Sequence, residues 1–194
     1  IGANKVSAPS VGGSINIVTK GADAKRGGSV SYSAGNDGYQ KATFNINTGL
    51  LKKGWAASLL GSYSCGNGYV QGGDFRVYNY YLSVSKIINE NHQLNLLAFG
   101  APQTHYMRSN ALTASEWEKA KTQYNLGADW RQFNPDYGFD KSGKRRSNDY
   151  NAYHNPVISL SHTWDINNKS NLSTKAYMSV GRGYKHSGQA NSDR

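Results

Sequence analysis

Arg76-Val77-Tyr78-Asn79-Tyr80-Tyr81-Leu82-Ser83-Val84-Ser85-Lys86 is the stretch whose reading decides the fold. In an extended chain, successive side chains point to opposite faces. Tyr78, Tyr80, Leu82 and Val84 therefore share one face, and Val77, Asn79, Tyr81, Ser83 and Ser85 the other. This is a β-strand with one apolar and one wet side. The pattern recurs on both sides of it. Toward the N-terminus, Trp55 to Ser64 groups Trp55, Ala57, Leu59 and Tyr63. Tyr39 to Leu50 sets Ala42, Phe44 and Ile46 against Lys41, Thr43, Asn45 and Asn47, and Ser29 to Ala34 reads as a first strand. Toward the C-terminus, Gln93 to Ala101 is a strand whose faces stay unassigned, because Leu96-Leu97-Ala98-Phe99 is uniformly apolar. Pro156 to Asp165 sets Ile158, Leu160, His162 and Trp164 against Val157, Ser159, Ser161 and Thr163. Asn171 to Arg182 is the last expected strand, with polar loop from Gly183 onward.

The connections have a rhythm. Gly35-Asn36-Asp37-Gly38, Lys52-Lys53-Gly54, Asn89-Glu90-Asn91 and Asn167-Asn168-Lys169 are tight-turn sequences. Cys65 to Phe75, residues 102–155 and the segment after Gly183 are long. Seven hairpin-linked strands of about ten residues match the length of a tilted strand crossing a bilayer. The turns at Lys52, Asn89 and Asn167 fall at one end and the long loops at the other, where only the Asn36-Asp37 turn is short; this is the habit of outer-membrane barrels, periplasmic and extracellular respectively. Trp55 and Trp164 then fall at the periplasmic end, where an aromatic girdle belongs. The expected fold is all-β: a transmembrane antiparallel β-barrel, present in part. Bacterial barrels close with an even strand number, so a longer protein is expected.

Composition agrees. The chain has 194 residues, with 22 Gly, 14 Tyr, 5 Phe and 4 Pro, a balance suited to half-wet strands and tight turns. Mean hydropathy is −0.69, and no apolar run is long enough for a membrane helix. A strand-built membrane protein needs only alternate apolar residues. Cys65 is the single cysteine, so no internal disulfide can form. Net charge is +10, but the cations are scattered. Lys141, Lys144, Arg145 and Arg146 cluster in a Ser/Gly/Asn-rich stretch beside Asp140 and Asp149, which reads as solvated loop or as a contact for lipopolysaccharide phosphates or an anionic ligand. No nucleic-acid motif accompanies them, and nucleic acid is not an expected partner.

Chemistry for an enzyme is missing from the sequence. His92, His105, His154, His162 and His186 lack metal-ligand spacing. Ser161-His162 with Asp165 at a strand end is a poor triad. Gly12-Gly13 is followed by neither Lys-Ser/Thr nor a helix, so it is not a phosphate loop. No cofactor or metal is expected.

Val11-Gly12-Gly13-Ser14-Ile15-Asn16-Ile17-Val18-Thr19-Lys20 precedes the strand series. With the hairpins behind it, this motif resembles TonB-dependent outer-membrane receptors, whose plug ends in a Gly-Gly-x-Ile-Asn-Ile-x-Thr-Lys strand just before the barrel. Gly12, Gly13, Ile15, Asn16, Ile17, Thr19 and Lys20 carry the likeness. Phe99-Gly100-Ala101-Pro102-Gln103-Thr104-His105 with Arg108 is similar to members of that family too. The resemblance implies residues 1–20 as the plug's end, 21–27 as a linker and 28–194 as the first part of a barrel of about 22 strands. It also implies a protein of the Gram-negative outer membrane, surrounded by lipid and lipopolysaccharide. Such a protein takes up a scarce nutrient (an iron–siderophore, haem or cobalamin-like chelate) with energy from TonB, which would engage a segment outside this chain.

The connection at 102–155 is the expected ligand-binding loop. Thr113-Ala114-Ser115-Glu116 is a capping box, predicting a helix over Ala114 to Tyr124. His105, Tyr106 and Arg108 precede it, Trp117 and Tyr124 lie on it, and Trp130, Arg131, Phe133 and Tyr137 follow. Aromatics with arginine offer stacking and cation–π surfaces for planar or anionic ligands, or simply pack the loop. A passive barrel keeps the hairpins but leaves Val11 to Lys20 unexplained. A soluble β-sandwich sugar-binding module, with Trp117 and Trp130 as platforms, calls for shorter strands.

Overall fold

The computed structural model describes residues 24–122, 129–147 and 149–187. The plug-end motif at Gly12, Gly13, Ile15, Asn16, Ile17, Thr19 and Lys20, and linker residues 21–23, lie outside them. Five strands follow one another as hairpins: β1 (Gly27–Ala34), β2 (Gln40–Asn47), β3 (Trp55–Gly66), β4 (Phe75–Asn89) and β5 (His92–Gly100). The long connection then holds β6 (Gln103–Tyr106), α1 (Ala114–Thr122), β7 (Tyr137–Phe139), β8 (Arg145–Ser147) and β9 (Asp149–His154). The chain continues through β10 (Val157–Asn167), β11 (Ser170–Ser179) and β12 (Arg182–Ser187). The main sheet is antiparallel and runs β1-β2-β3-β4-β5-β10-β11, open at both ends.

Two expectations need correction. The stretch from Gly183 onward is not loop at its start, because Arg182–Ser187 is a strand paired with β9. The 102–155 connection is not a free loop throughout, because β6 pairs with β4 and β9. The pairing offset is unchanged across each break. Tyr80 faces Gly100 and Val77 faces Gln103; Val157 faces Phe99 and Tyr153 faces Gln103; Val157 faces Ser179 and His154 faces Arg182. So β5 with β6, β9 with β10, and β11 with β12 are three long strands, each creased once. The creases fall at residues 101–102, 155–156 and 180–181, side by side on neighbouring strands. Pro102 and Pro156 lack the N–H that a continuous ladder requires.

The register assigns the faces. One row crosses the sheet as Ile46, Leu59, Leu82, Ala98, Ile158 and Met178, and the next as Ala57, Val84, Leu96, Leu160 and Ala176. The opposite face carries Ser62, Asn79, Ser83, Ser85, Asn95, Ser159, Ser161 and Lys175. There Ser83 and Ser85 hydroxyls both donate to Asn95 Oδ1 at 3.1 Å, and Asn79 Nδ2 donates to Ser62 Oγ at 3.0 Å. β5 is thereby resolved, with Leu94, Leu96 and Ala98 on the apolar side and Leu97 and Phe99 on the polar side.

Burial is inverted relative to a water-soluble sheet. The buried apolar residues among those described are Ala56 and Ala120, whereas Ser58, Ser64, Ser83, Ser85 and Ser159 are buried. Val30 is 84% exposed, Ile46 56%, Leu160 49% and Met178 60%. Small polar residues let the wet face pack tightly; the apolar face has nothing against it.

Local turns follow their residues. Asp37 and Gly38 both take left-handed φ, and Tyr39 N–H donates to Asn36 O at 3.1 Å, the turn matched to strand twist. At the end with the short turns, Lys86 Nζ lies 5.1 Å from the Trp55 ring centre and His92 stacks on Trp164 at 5.4 Å.

Candidate functional site

Between β6 and β9 the chain folds into a compact appendage at the long-loop end of the sheet. The capping box forms as the sequence predicts. Thr113 N–H donates to Glu116 Oε2 at 2.7 Å, and Glu116 N–H donates to Thr113 Oγ1 at 3.3 Å, starting α1 at Ala114. The described helix ends at Thr122, so Tyr124 lies outside the described residues. A 3-10 turn follows at Trp130–Gln132, capped by the Asp129 side chain, which accepts from Arg131 N–H at 3.0 Å.

Two buried polar side chains fasten this appendage. Asn134 and Asp136 are 2% and 3% exposed. Asn134 Nδ2 donates to Gln71 O at 2.8 Å, and its Oδ1 accepts from Asp136 N–H at 2.9 Å. Asp136 accepts from the Ser109 and Asn110 backbones at 3.0 and 3.2 Å. Gln71 N–H donates in turn to Gln132 O at 2.9 Å. The Gly-rich loop between β3 and β4 is thus tied to the appendage.

The sequence-predicted residues divide into groups. Trp117 and Trp130 meet edge to face at 5.4 Å, and cations cover their rings: Arg108 at 5.0 Å from Trp117, Lys121 at 4.7 Å and Arg131 at 5.9 Å from Trp130. The Arg108 guanidinium also donates from Nη1 to Arg131 O at 2.9 Å and Phe133 O at 2.8 Å, so it holds the appendage closed. His105 and Tyr106 are adjacent on β6 and therefore face opposite ways. His105 meets Tyr153 edge-on at 6.4 Å, and Tyr106 packs on Tyr150 at 5.1 Å. Tyr137 sits against Gly72, and its ring is 5.6 Å from Phe139.

Sequence reading missed Lys121, Tyr69 and Asp129. Lys121 carries a usable signal, four residues after Trp117 on one helix face; Tyr69 and Asp129 carry none. Tyr69 donates its hydroxyl to Asp129, and Arg131 Nε lies 2.9 Å from Asp129 Oδ1. The Tyr69 hydrogen bond, followed by the Arg131 backbone N–H, holds the Asp129 carboxyl below its ordinary pKa, and the same bond raises that of Tyr69. His92 and His162, far apart in sequence, are also brought together, with Nδ1 to Nε2 at 3.0 Å. Among the described residues no group of three or more His, Cys, Asp or Glu is arranged to hold a metal ion.

Trp117 and Trp130 are half-buried in this cluster, whereas Arg131 is exposed. Compared with family models, curated proteins and solved structures, the chain gives no match.

Proposed function

We propose that this chain is a wall segment of a membrane-spanning β-barrel of the TonB-dependent receptor type, importing a compact nutrient chelate across an outer membrane. The observation that carries the membrane reading is the exposed apolar face, continuous from Val30 on β1 to Met178 on β11. An apolar patch spanning seven strands far exceeds what a soluble monomer leaves bare. In a bilayer the same face is satisfied by acyl chains, and the Ser/Asn/Lys face lines a wet or plugged interior. Trp55 and Trp164 support the reading, since both lie on the apolar face near the short-turn end.

The receptor part rests on the likeness of Gly12 to Lys20 to a plug's last strand. Lipid and lipopolysaccharide are the partners of the outer face, and TonB engages a segment outside this chain. The 107–147 appendage is the ligand-facing loop, contributing Trp117, Trp130 and Arg131 at its rim, with Arg108 as the clamp that keeps it folded.

The test is electrophoresis of outer-membrane fractions, boiled and unboiled, detected through this segment. A band heavier than 21.2 kDa that shifts on boiling is expected for a closed barrel. A soluble band at that mass, indifferent to boiling, overturns the proposal.

A further inference from the structure

Three neighbouring strands crease at one level, and a cleft of about 470 Å³ opens there on the apolar side of the sheet. Arg76, Tyr78, Pro102, His154, Arg182 and Tyr184 line it. The register confirms the side: Arg76 shares a row with Thr104, Ala152 and Tyr184, and His154 pairs with Arg182. Tyr78 and Tyr80 mark the top of the apolar band immediately below.

We propose that this crease holds the phosphate of a phosphorylated lipid headgroup, with Arg76 and Arg182 as its binding cations. The inference rests on the membrane reading above. Among the described residues neither guanidinium has a hydrogen-bond or ion-pair partner, and no carboxylate lines the cleft. Arg76 and Arg182 bring two cations to the lining of one hollow, and their planar forks suit phosphate oxygens. His154 is fixed beside them by a 2.8 Å hydrogen bond to the Tyr80 hydroxyl, and Tyr184 adds a further hydroxyl to the rim. Height selects the ligand. A phosphate in the crease has the apolar rows of Leu82, Leu96 and Ile158 directly beneath it, a surface for acyl chains that a soluble phosphate cannot use.

The protein is inserted into phosphatidylcholine vesicles with and without lipopolysaccharide and extracted in detergent. Retained lipopolysaccharide per protein is then read by native mass spectrometry, with inorganic phosphate as competitor. Arg76→Gln with Arg182→Gln is expected to lower retention about tenfold or more, since charge-assisted contacts are lost. Lys175→Gln removes a charge from the opposite face and is expected to retain lipid as the unaltered protein does. Inorganic phosphate is expected not to displace the lipid. Unchanged retention by the double variant, equal loss in Lys175→Gln, or displacement by inorganic phosphate each overturns the site. Failure of the unaltered protein to insert into plain phosphatidylcholine overturns the membrane reading itself, and is scored separately by protease accessibility before lipopolysaccharide is added.

Discussion

Asp129 joins two loops that sequence separates, receiving the Tyr69 hydroxyl from one and Arg131 from its own. Its carboxyl titrates lower folded than unfolded. The stabilisation is therefore present above the unfolded value of about 3.9 and lost as pH falls through the lower folded value. Acidification through that window is expected to loosen the Tyr69–Asp129 clasp, followed by Trp130 fluorescence, while the Asn134, Asp136 and Arg108 contacts hold the appendage in place. Asp129→Asn should remove the pH dependence, and an unaltered acid transition in that variant would exclude the clasp. Gly61 shows close approach at a single residue. The Phe44 ring lies over it, so a Cβ there would overlap the ring carbons. Phe44 is 43% exposed and its ring can swing aside, so Gly61→Val is expected to cost about 1 kcal/mol or less, below the usual overpacking range, read as at most a small drop in urea midpoint for the inserted protein.

Elements show where sequence was informative. Alternation and tight turns identified β1 to β5, β10 and β11, because period two is written in consecutive residues and Asn/Gly turns need special backbone angles. The capping box placed α1 for the same local reason. β6, β9 and β12 were not visible, being short polar runs whose pairing depends on distant strands. Gln103 finds Tyr153, and Tyr184 finds Ala152, only once β5 and β10 are in register. Pro102 and Pro156 read as punctuation although the strands continue past them. The aromatic cluster was half legible: the sequence singled out Trp117, Trp130 and Arg108 by residue type, but Arg108 anchors carbonyls of a 3-10 turn that no motif announces. Arg108→Ala is accordingly expected to loosen the appendage by about 1–3 kcal/mol through its unsatisfied carbonyls, seen as faster proteolysis within 107–147. Removal of residues 112–144, which spares β9, should abolish ligand uptake while leaving insertion intact. Uptake that survives the deletion would place the binding surface elsewhere.

At the scale of the whole molecule, the question is what covers the apolar face. In water a large apolar residue already exposed gains nothing from its surroundings, and replacing it changes stability by about 0.5 kcal/mol or less. In a bilayer the same residue stands in hydrocarbon, and an arginine near the midplane costs about 2–4 kcal/mol. Leu160 separates the two cases. It is 49% exposed and lies in the row of Ala57, Val84, Leu96 and Ala176, between the Tyr78–Tyr80 level and Trp164. Thr163, on the same strand, faces the polar side with Gln93 and Ser173. Leu160→Arg is expected to destabilise the vesicle-inserted protein by about 2–4 kcal/mol in urea titration, whereas Thr163→Arg should change it little because that face already carries Lys41 and Lys175. Equal, small effects at both positions would mean that hydrocarbon does not lie against Leu160, and the barrel-wall reading would fall with that result.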